Sequence, residues 1–281
     1  MCYNGPRNHH NTTQKEGPPM EDEKNMPARG DDSSVIYWNF SINSDFLVVQ
    51  ANDLVGGRQA LKLNSAKLIR AAIMQISPED EALKPYVVTV RKFAQLIGID
   101  ASNVYRYAEE ITDDILKNPV YIREYRTGAP PRWIKIPWVS FCEYDSSAGI
   151  LIQLNEKLKP LLIGLRTHFT AYALQDILSM KSVYAIRIYE LILSRIVINP
   201  IRLEGERVTI PLDELRELCG CTDKYERLSS FKTKVLDMAK REINEKTTYF
   251  VDYAFLKKGR SVFAVDFYIN PKYQEHIKNR R

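Results

Sequence analysis

Long apolar runs, histidines and cysteines are scarce in this 281-residue chain, and each scarcity argues against a class of protein. The longest apolar stretch, 183–198, is interrupted by Arg187, Glu190 and Arg195, and it falls short of the ~20 clean apolar residues that a bilayer requires. The N-terminal segment is polar and lacks the apolar core of a signal peptide. The four cysteines have no framework spacing, which indicates a reducing compartment. We therefore expect a cytoplasmic protein that does not bind membranes.

Signatures of catalysis and of cofactor binding are missing as well. The twelve glycines form neither Gly-x-x-x-x-Gly-Lys-Ser/Thr nor Gly-x-Gly-x-x-Gly, so we predict no nucleotide-phosphate loop. Two histidines are adjacent near the N-terminus and two are isolated, which leaves no local histidine-based metal site. Cys219 and Cys221 are too few for structural zinc, and we interpret them as small core residues. The sequence predicts no enzyme, no cofactor and no metal.

Composition and charge describe a globular protein that is basic towards one end. The chain is 44% hydrophobic and 27% charged, as folded chains usually are. Single cores stop growing near about 250 residues, so two modest domains are expected. The net charge of +5 is unevenly distributed. Residues 1–34 contain six acidic and four basic residues, residues 45–165 contain 14 acidic and 15 basic residues, and residues 166–281 contain 15 acidic and 21 basic residues. We predict a flexible tail at 1–45 and a second domain suited to an anionic partner.

The order of helices and strands after the tail predicts one motif twice. Helix, short strand, helix, turn, helix and hairpin is the order of a winged helix-turn-helix domain. We assign the first copy to 46–165 and the second to 166–281, giving an α+β protein of two tandem winged helix-turn-helix domains. The predicted elements of the first copy are a helix at 67–76, a strand at 86–90, a helix ending at Gly98, a helix from an N-cap at Ser102 to Pro119, and strands at 120–125, 133–144 and 150–154. Those of the second copy are a helix around 184–192, a strand at 207–210, a helix at 213–218 ending at Gly220, a long helix at 228–245, and strands at 249–255 and 262–269.

The long helix at 228–245 has the pattern of a recognition helix. Its apolar face, which would hold it on the domain, contains Leu228, Phe231, Val235, Met238 and Ala239, with Glu242 at the edge. Donors that can reach into a major groove about 12 Å wide lie elsewhere on the helix and at its start. From this element we predict DNA contacts by Arg227, Ser230, Lys232, Thr233, Lys234, Lys240 and Arg241. The charged face of an ordinary surface helix is the alternative.

The turn between the last two strands is basic, as the wing of such a domain often is. Lys257, Lys258 and Arg260 lie within four residues at the tip of an aromatic hairpin. Cations this close repel one another unless an anion compensates them, so the cluster suits a sugar-phosphate backbone. A solvated tip with lysines that protect an edge strand is the alternative. We predict phosphate contacts by all three residues.

The first copy offers fewer cations for DNA. At the start of its third helix we predict DNA contacts by Ser102, Asn103, Tyr105 and Arg106. Only the first turn qualifies, because four acidic residues between 109 and 114 follow and would repel phosphate. A capped surface helix is an equally good interpretation.

Several strings in the chain resemble one protein family. These are 48–55 (VVQANDLV), 61–68 (LKLNSAKL), 231–244 and, most specifically, 169–192 with its rhythm Lys-Ser-x-Tyr-Ala-x-Arg-x-Tyr-Glu-Leu. They resemble the initiator Rep proteins of iteron-containing bacterial plasmids, which are built from two winged-helix domains. The resemblance covers about 46–272 and excludes the tail. Arg187 lies inside the string 169–192, where a DNA contact and an ion pair with Glu190 explain it equally well, so we assign it no DNA contact.

The resemblance implies how such a protein would act. A monomer would bind directly repeated double-stranded origin sequences, the iterons, with both winged helices. A dimer, formed largely through the first domain, would bind an inverted repeat at its own promoter and repress it. Bound monomers would help to open A·T-rich DNA and recruit the host replication initiator and the replicative helicase. Two alternatives stay open, a winged-helix repressor without a replication role and a DNA-nicking enzyme with a tyrosine nucleophile.

Overall fold

The computed structural model describes residues 36–37, 47–196 and 206–272. Its α-helices are α1 (Asn52–Val55), α2 (Leu63–Ile73), α3 (Val90–Ile97), α4 (Val104–Lys117), α5 (Leu174–Leu178), α6 (Val183–Leu193), α7 (Leu212–Leu218), α8 (Leu228–Phe231) and α9 (Asp237–Lys246). Its strands are β1 (Ile36–Tyr37), β2 (Leu47–Ala51), β3 (Pro85–Val88), β4 (Val120–Arg126), β5 (Ala129–Ile136), β6 (Val139–Asp145), β7 (Gly149–Leu154), β8 (Phe169–Ala173), β9 (Glu206–Pro211), β10 (Tyr249–Lys258) and β11 (Ser261–Pro271). Most of the predicted tail lies outside these residues, and its described part, Ile36–Tyr37, forms a short strand.

The first winged helix consists of α2, β3, α3, α4, β6 and β7. Its sheet has the order β1-β3-β7-β6, with β3 antiparallel to β7. The turn into β7 passes so close to β3 that a side chain on Gly149 (φ 126°) would place its Cβ 2.1 Å from the Val88 carbonyl oxygen. Only glycine satisfies both that contact and the positive φ. The predicted helix-strand-helix-helix-hairpin order is confirmed in this half.

Three predicted boundaries in the first half are wrong. The first helix begins at Leu63 rather than at residue 67 and ends at Ile73. The strand predicted over 133–144 is two strands, because the chain bends at Trp138, whose side chain is fully buried. As a result β4 and β5 form a separate two-stranded hairpin, which lies between α4 and β6 in the chain. Ser102 is not an N-cap; Asp100 caps a 3₁₀ turn at 101–103, and α4 follows it from Val104.

The second winged helix consists of α6, β9, α7, α8, α9 and the β10–β11 hairpin, with the sheet order β10-β11-β9. The long helix predicted over 228–245 is not uniform. Residues 232–236 between α8 and α9 form a π-helical turn, a local widening that recurs at functional sites. Leu236, which a regular helix would place away from the core, is buried in this wider turn, whereas Met238 is only half-buried. The prediction of one continuous α-helix is therefore wrong.

Strand pairing joins the two halves of the chain. β2 at the start of the described chain pairs antiparallel with β8, with Val48 opposite Tyr172 and Gln50 opposite Thr170. The sequence pattern did not predict either strand as a partner of the other. α6, which follows β8, then packs against α9. The recognition helix of the second half is thus connected through α6 and β8 to the first half.

Buried charges reinforce this junction. Arg70 of α2 and Arg187 and Glu190 of α6 are at most 2% exposed. Arg187 Nη1 donates to Glu190 Oε2 at 2.9 Å, and its Nη2 donates to the carbonyls of Val55 and Gly57 at 2.9 and 3.0 Å. The ion-pair interpretation of Arg187 is therefore confirmed, and its burial keeps it away from DNA.

Candidate nucleic-acid interface

Hydrogen bonds from Arg216 stabilise the turn between α7 and α8. The sequence pattern did not indicate a functional role for this residue. Its Nη1 donates to the carbonyls of Lys224 and Tyr225 at 3.3 and 2.9 Å, and its Nη2 donates to the carbonyl of Glu226 at 3.3 Å. The same guanidinium lies 4.3 Å from the centre of the Phe231 ring in α8. Because one rigid group contacts both the turn and the first buried residue of the recognition helix, Arg216 fixes the direction in which that helix starts.

The predicted donors of the recognition helix fall into two groups. Arg227, Lys234 and Arg241 are exposed and make no ion pair with any described residue, although Arg241 Nη2 contacts Met238 Sδ at 2.8 Å. Lys232 and Lys240 are paired: Lys232 Nζ lies 2.8 Å from Asp237 Oδ2, and Lys240 Nζ lies 2.7 Å from Asp252 Oδ1. Of the uncharged candidates, Ser230 is half-buried and Thr233 is exposed. The Thr233 hydroxyl donates to the Ser229 carbonyl at 3.1 Å.

The two carboxylates that hold these lysines are firmly ionised. Partial burial alone would raise the pKa of Asp237, but hydrogen bonds from Lys232 and from the Tyr253 hydroxyl (2.6 Å) hold it below its ordinary value. A hydrogen bond from Lys240 lowers the pKa of Asp252 in the same way. Each carboxylate therefore cancels one cation of the helix in the unbound protein. Sequence spacing could not reveal the Lys240 pair, because Asp252 lies on β10.

The wing presents its cations to solvent. The tight turn at Gly259 (φ 63°) joins β10 to β11, and Lys257, Lys258 and Arg260 around it are exposed. None of them forms an ion pair with a described residue, in contrast to Lys232 and Lys240. The strand register shifts beside the turn, and Phe263 there is 53% exposed. The cluster expected at the wing is thus brought together by the hairpin; whether it contacts phosphate stays a prediction.

The first winged helix presents its candidates from one short stretch. Asn103, Tyr105 and Arg106 are exposed, and Tyr105 has 65% of its surface accessible. The Ser102 hydroxyl and amide both donate to Asp100 Oδ1, at 2.6 and 2.9 Å, and these bonds lower the pKa of Asp100. The Ser102 side chain is therefore bonded within a local turn, and Arg106 Nη2 donates to the Tyr107 hydroxyl at 3.1 Å.

Two acidic residues of α4 are partly neutralised. Glu110 Oε1 lies 2.6 Å from Lys62 Nζ, and Asp113 pairs with Lys117 one turn further along the helix. These exposed pairs are worth little to stability, yet they reduce the negative charge that the sequence alone suggested beside the first recognition helix.

The described residues form neither a cluster that could hold a metal ion nor an activated cysteine thiol. No group of three histidine, cysteine or acidic side chains lies close enough within them to hold a metal ion. Burial raises the pKa of the Cys219 and Cys221 thiols to about 12 and about 11, so both stay protonated and fill the core as interpreted. No helix among the described residues is long and apolar enough to span a bilayer.

The two helix-turn-helix units with their hairpins define the class of protein, a tandem winged-helix DNA-binding protein. Family models match both halves: an initiator replication protein WH1 model over residues 47–193 and an initiator Rep protein WH2 model over residues 211–269. The chain belongs to this family of replication initiators, which confirms the resemblance seen in the sequence. The first model includes α6, so it extends past the division that we predicted at 165/166.

Individual relatives are distant but cover most of the chain. An uncharacterized 27.6 kDa protein of Escherichia coli is 23% identical over 242 residues, which are 80% of this chain and 95% of that protein. The crystal structure of the Pi initiator protein in complex with iteron DNA superposes with a TM-score of 0.67 at 20% identity, covering 83% of this chain and all of that one. This likeness confirms the predicted fold class.

Proposed function

We propose that the protein is a plasmid replication initiator that binds iterons, directly repeated double-stranded sequences at an origin, as a monomer. Both winged helices contact DNA in this proposal, and the second one supplies most of the phosphate attraction. The observation that carries it is the contrast within the second winged helix. Lys234 and the wing cations Lys257, Lys258 and Arg260 have no carboxylate partner among the described residues, whereas the neighbouring lysines do. The Pi protein, which shares this fold, was crystallised on iteron DNA.

The wider replication role forms part of the same proposal. A homodimer represses the protein's own promoter at an inverted repeat, and origin-bound monomers recruit the host replication initiator and the replicative helicase. An initiator of this kind acts in the cytoplasm, where its origin is, and it breaks no covalent bond itself. A winged-helix repressor without a replication role uses the same surface, so DNA binding alone does not separate the two functions.

The nicking enzyme is the weaker alternative. Such an enzyme needs an activated tyrosine, yet burial raises the pKa of Tyr184, Tyr189, Tyr249 and Tyr253. A tyrosine that ionises less readily is a poorer nucleophile. A covalent protein–DNA adduct, formed on supercoiled origin DNA with a divalent metal, would nevertheless establish this function and refute ours.

Two experiments test the proposal. In the first, fluorescence anisotropy measures binding to a duplex of any direct repeats found in the DNA that flanks the gene and to a scrambled duplex, at several salt concentrations. We expect a preference of about 10³ or more for the repeats and a steep salt dependence. The triple change Lys234→Ala, Lys257→Ala, Lys258→Ala should abolish most binding. The matched control changes Lys84, Lys157 and Lys159, three lysines outside the proposed surface, to alanine.

The second experiment separates an initiator from a repressor. A small plasmid with the gene and its flanking DNA, but with no other origin, is introduced into a bacterial host. Replication that requires the gene supports the proposal, whereas repression of the gene's promoter without replication supports the alternative.

A further inference from the structure

The β4–β5 hairpin carries a row of cations laid on aromatic rings. Its outward face alternates ring and charge, because Tyr121 lies directly opposite Lys135, and Arg123 lies opposite Trp133. The Arg123 guanidinium lies 4.6 Å from the centre of the Trp133 ring, and Lys135 Nζ lies 5.1 Å from that of Tyr121. The other face of the hairpin packs inwards through Ile122, Ile134 and the buried residues Val120 and Ile136.

A third cation joins the row from outside the hairpin. The Arg58 guanidinium lies 4.0 Å from the centre of the Tyr121 ring. The position of Arg58 is fixed by its backbone, which exchanges two hydrogen bonds with that of Tyr121 at 2.9 and 3.0 Å. We call Arg58, Arg123 and Lys135, with the rings of Tyr121 and Trp133, the cation–ring row.

Charge concentrates on this element. The hairpin sequence 120–136 has four basic residues and one acidic residue, Glu124, so it carries +3 of a first half whose total is only +1. The one acidic residue of the hairpin, Glu124, is paired with Arg132, which is not part of the row. Arg123 and Lys135 are exposed, and Trp133 is 43% exposed. A surface of this kind favours an anionic partner.

The row lies beside the helix-turn-helix of the second winged helix. Gln59, next in the chain to Arg58, contacts Gly220, the residue that follows α7 and its C-cap. The contact is so close that a Cβ on Gly220 would lie 2.6 Å from the Gln59 carbonyl oxygen. The cation–ring row therefore neighbours the turn that Arg216 fastens and from which the recognition helix starts. A duplex in contact with the first residues of that helix would therefore lie close to the row.

We propose that the cation–ring row is a third DNA-contacting element, which grips the phosphate backbone of the duplex beside the second winged helix without reading its sequence. Because the proposal rests on duplex binding by that winged helix, it deepens the proposed function. A cation that already lies on an aromatic ring is restricted in its movement before DNA binds. Its contact with a phosphate at a fixed position therefore costs little additional side-chain entropy. Stacking of unpaired bases is the less favoured use, since cations already cover the ring faces.

The test replaces the three cations together, as Arg58→Gln, Arg123→Gln and Lys135→Gln. Binding to a random-sequence duplex and to the repeat duplex is measured between 50 and 250 mM salt, with stoichiometric titration to fix the active fraction. Each lost phosphate contact lowers the salt slope by about 0.9, so we expect a decrease of about two to three. Both affinities should fall by the same factor, about tenfold or more, and leave the ratio between the duplexes unchanged.

Two further variants make the outcome specific. The control Lys84→Gln, Lys157→Gln, Lys159→Gln removes the same charge elsewhere on the first half, and it should keep most of the slope. Changing Tyr121 and Trp133 to leucine keeps every cation but removes the ring platform, and it should weaken both duplexes by a smaller common factor. Circular dichroism and melting temperature show that each variant is folded.

The proposal is overturned if the cation variant has the wild-type slope, or if the control lowers the slope equally. It is also overturned if the loss is confined to single-stranded oligonucleotides, or if sedimentation shows that the substitutions change only self-association. The random duplex keeps this test separate from the proposed function, since a wild-type protein without preference for the repeats would refute iteron recognition alone.

Discussion

Arg70 and Glu190, 120 residues apart in the chain, form a bidentate ion pair with no exposure to solvent. Arg70 Nε and Nη2 donate to the two carboxylate oxygens at 3.0 and 2.9 Å. The same carboxylate accepts from Arg187, from the Gln50 amide at 3.2 Å and from the Tyr172 hydroxyl at 2.5 Å. One acidic residue of the family-like string 169–192 thus holds groups from α2, β2, β8 and α6 together.

Replacing Glu190 by glutamine should strongly destabilise the protein. The neutral amide would leave two buried guanidinium groups, those of Arg70 and Arg187, without a counter-charge. Breaking a buried pair in this way costs about 3–5 kcal/mol. Urea unfolding followed by circular dichroism measures the loss. The control Glu110→Gln, which removes an exposed pair with Lys62, should cost less than about 1 kcal/mol; an equal cost for both variants would show that the buried pair has no special weight.

The same carboxylate should make the stability depend on pH in acid. Burial alone would raise the pKa of Glu190, but the charges of Arg70 and Arg187 outweigh it and lower the pKa to about 2 from the ordinary 4.5. A depressed carboxyl pKa gives stability that is fully present above pH 4.5 and is lost as the pH falls towards 2. The free energy of unfolding should therefore fall between pH 5 and pH 3. A double variant, Arg70→Met with Glu190→Leu, should show a shallower fall, and identical slopes would contradict the assignment.

Arg216→Lys should separate sequence recognition from general attraction to DNA. Lysine keeps the positive charge but loses the planar fork on three carbonyls and the contact with Phe231. We expect about tenfold weaker binding to the repeat duplex, with the random-duplex affinity and its salt slope unchanged. Competition titrations with both duplexes measure the ratio. A parallel loss on both duplexes would mean that Arg216 contributes only charge or stability.

Asp252→Asn should strengthen attraction to DNA by releasing Lys240. The carboxylate lies 2.7 Å from the lysine ammonium and cancels it in the unbound protein. Without it the salt slope on a random duplex should steepen by about 0.9, the contribution of one additional phosphate contact. The control Asp53→Asn removes an exposed carboxylate from α1. An unchanged slope in Asp252→Asn would show that Lys240 does not reach DNA.

Much of the fold was predictable because its signals are local. Helical periodicity, the glycine at residue 98 and the basic turn around Gly259 each lie within a few residues of the feature that they determine. The order of these elements alone indicates two winged helices. The exposed cations of the wing were predictable for the same reason.

Other features depend on partners that are distant in the sequence. The β2–β8 pair and the Arg70–Glu190 pair join residues more than 100 positions apart, which periodicity does not register. The widened turn at 232–236 is likewise absent from the sequence pattern, which indicates one regular helix across these residues. The cation–ring row had a signal in the alternation of basic and aromatic residues between 121 and 135, but the single strand predicted over 133–144 missed the bend at Trp138 that separates this hairpin from β6.

A titration of the intact protein against direct repeats found in the DNA beside its gene tests iteron recognition most directly. We predict that monomers bind each repeat about 10³-fold more tightly than scrambled DNA at 150 mM salt, and that a triple variant at Lys234, Lys257 and Lys258 loses most of this affinity. Equal affinity for repeated and scrambled duplexes would contradict iteron recognition. Unchanged binding by the triple variant would contradict the surface assigned to it.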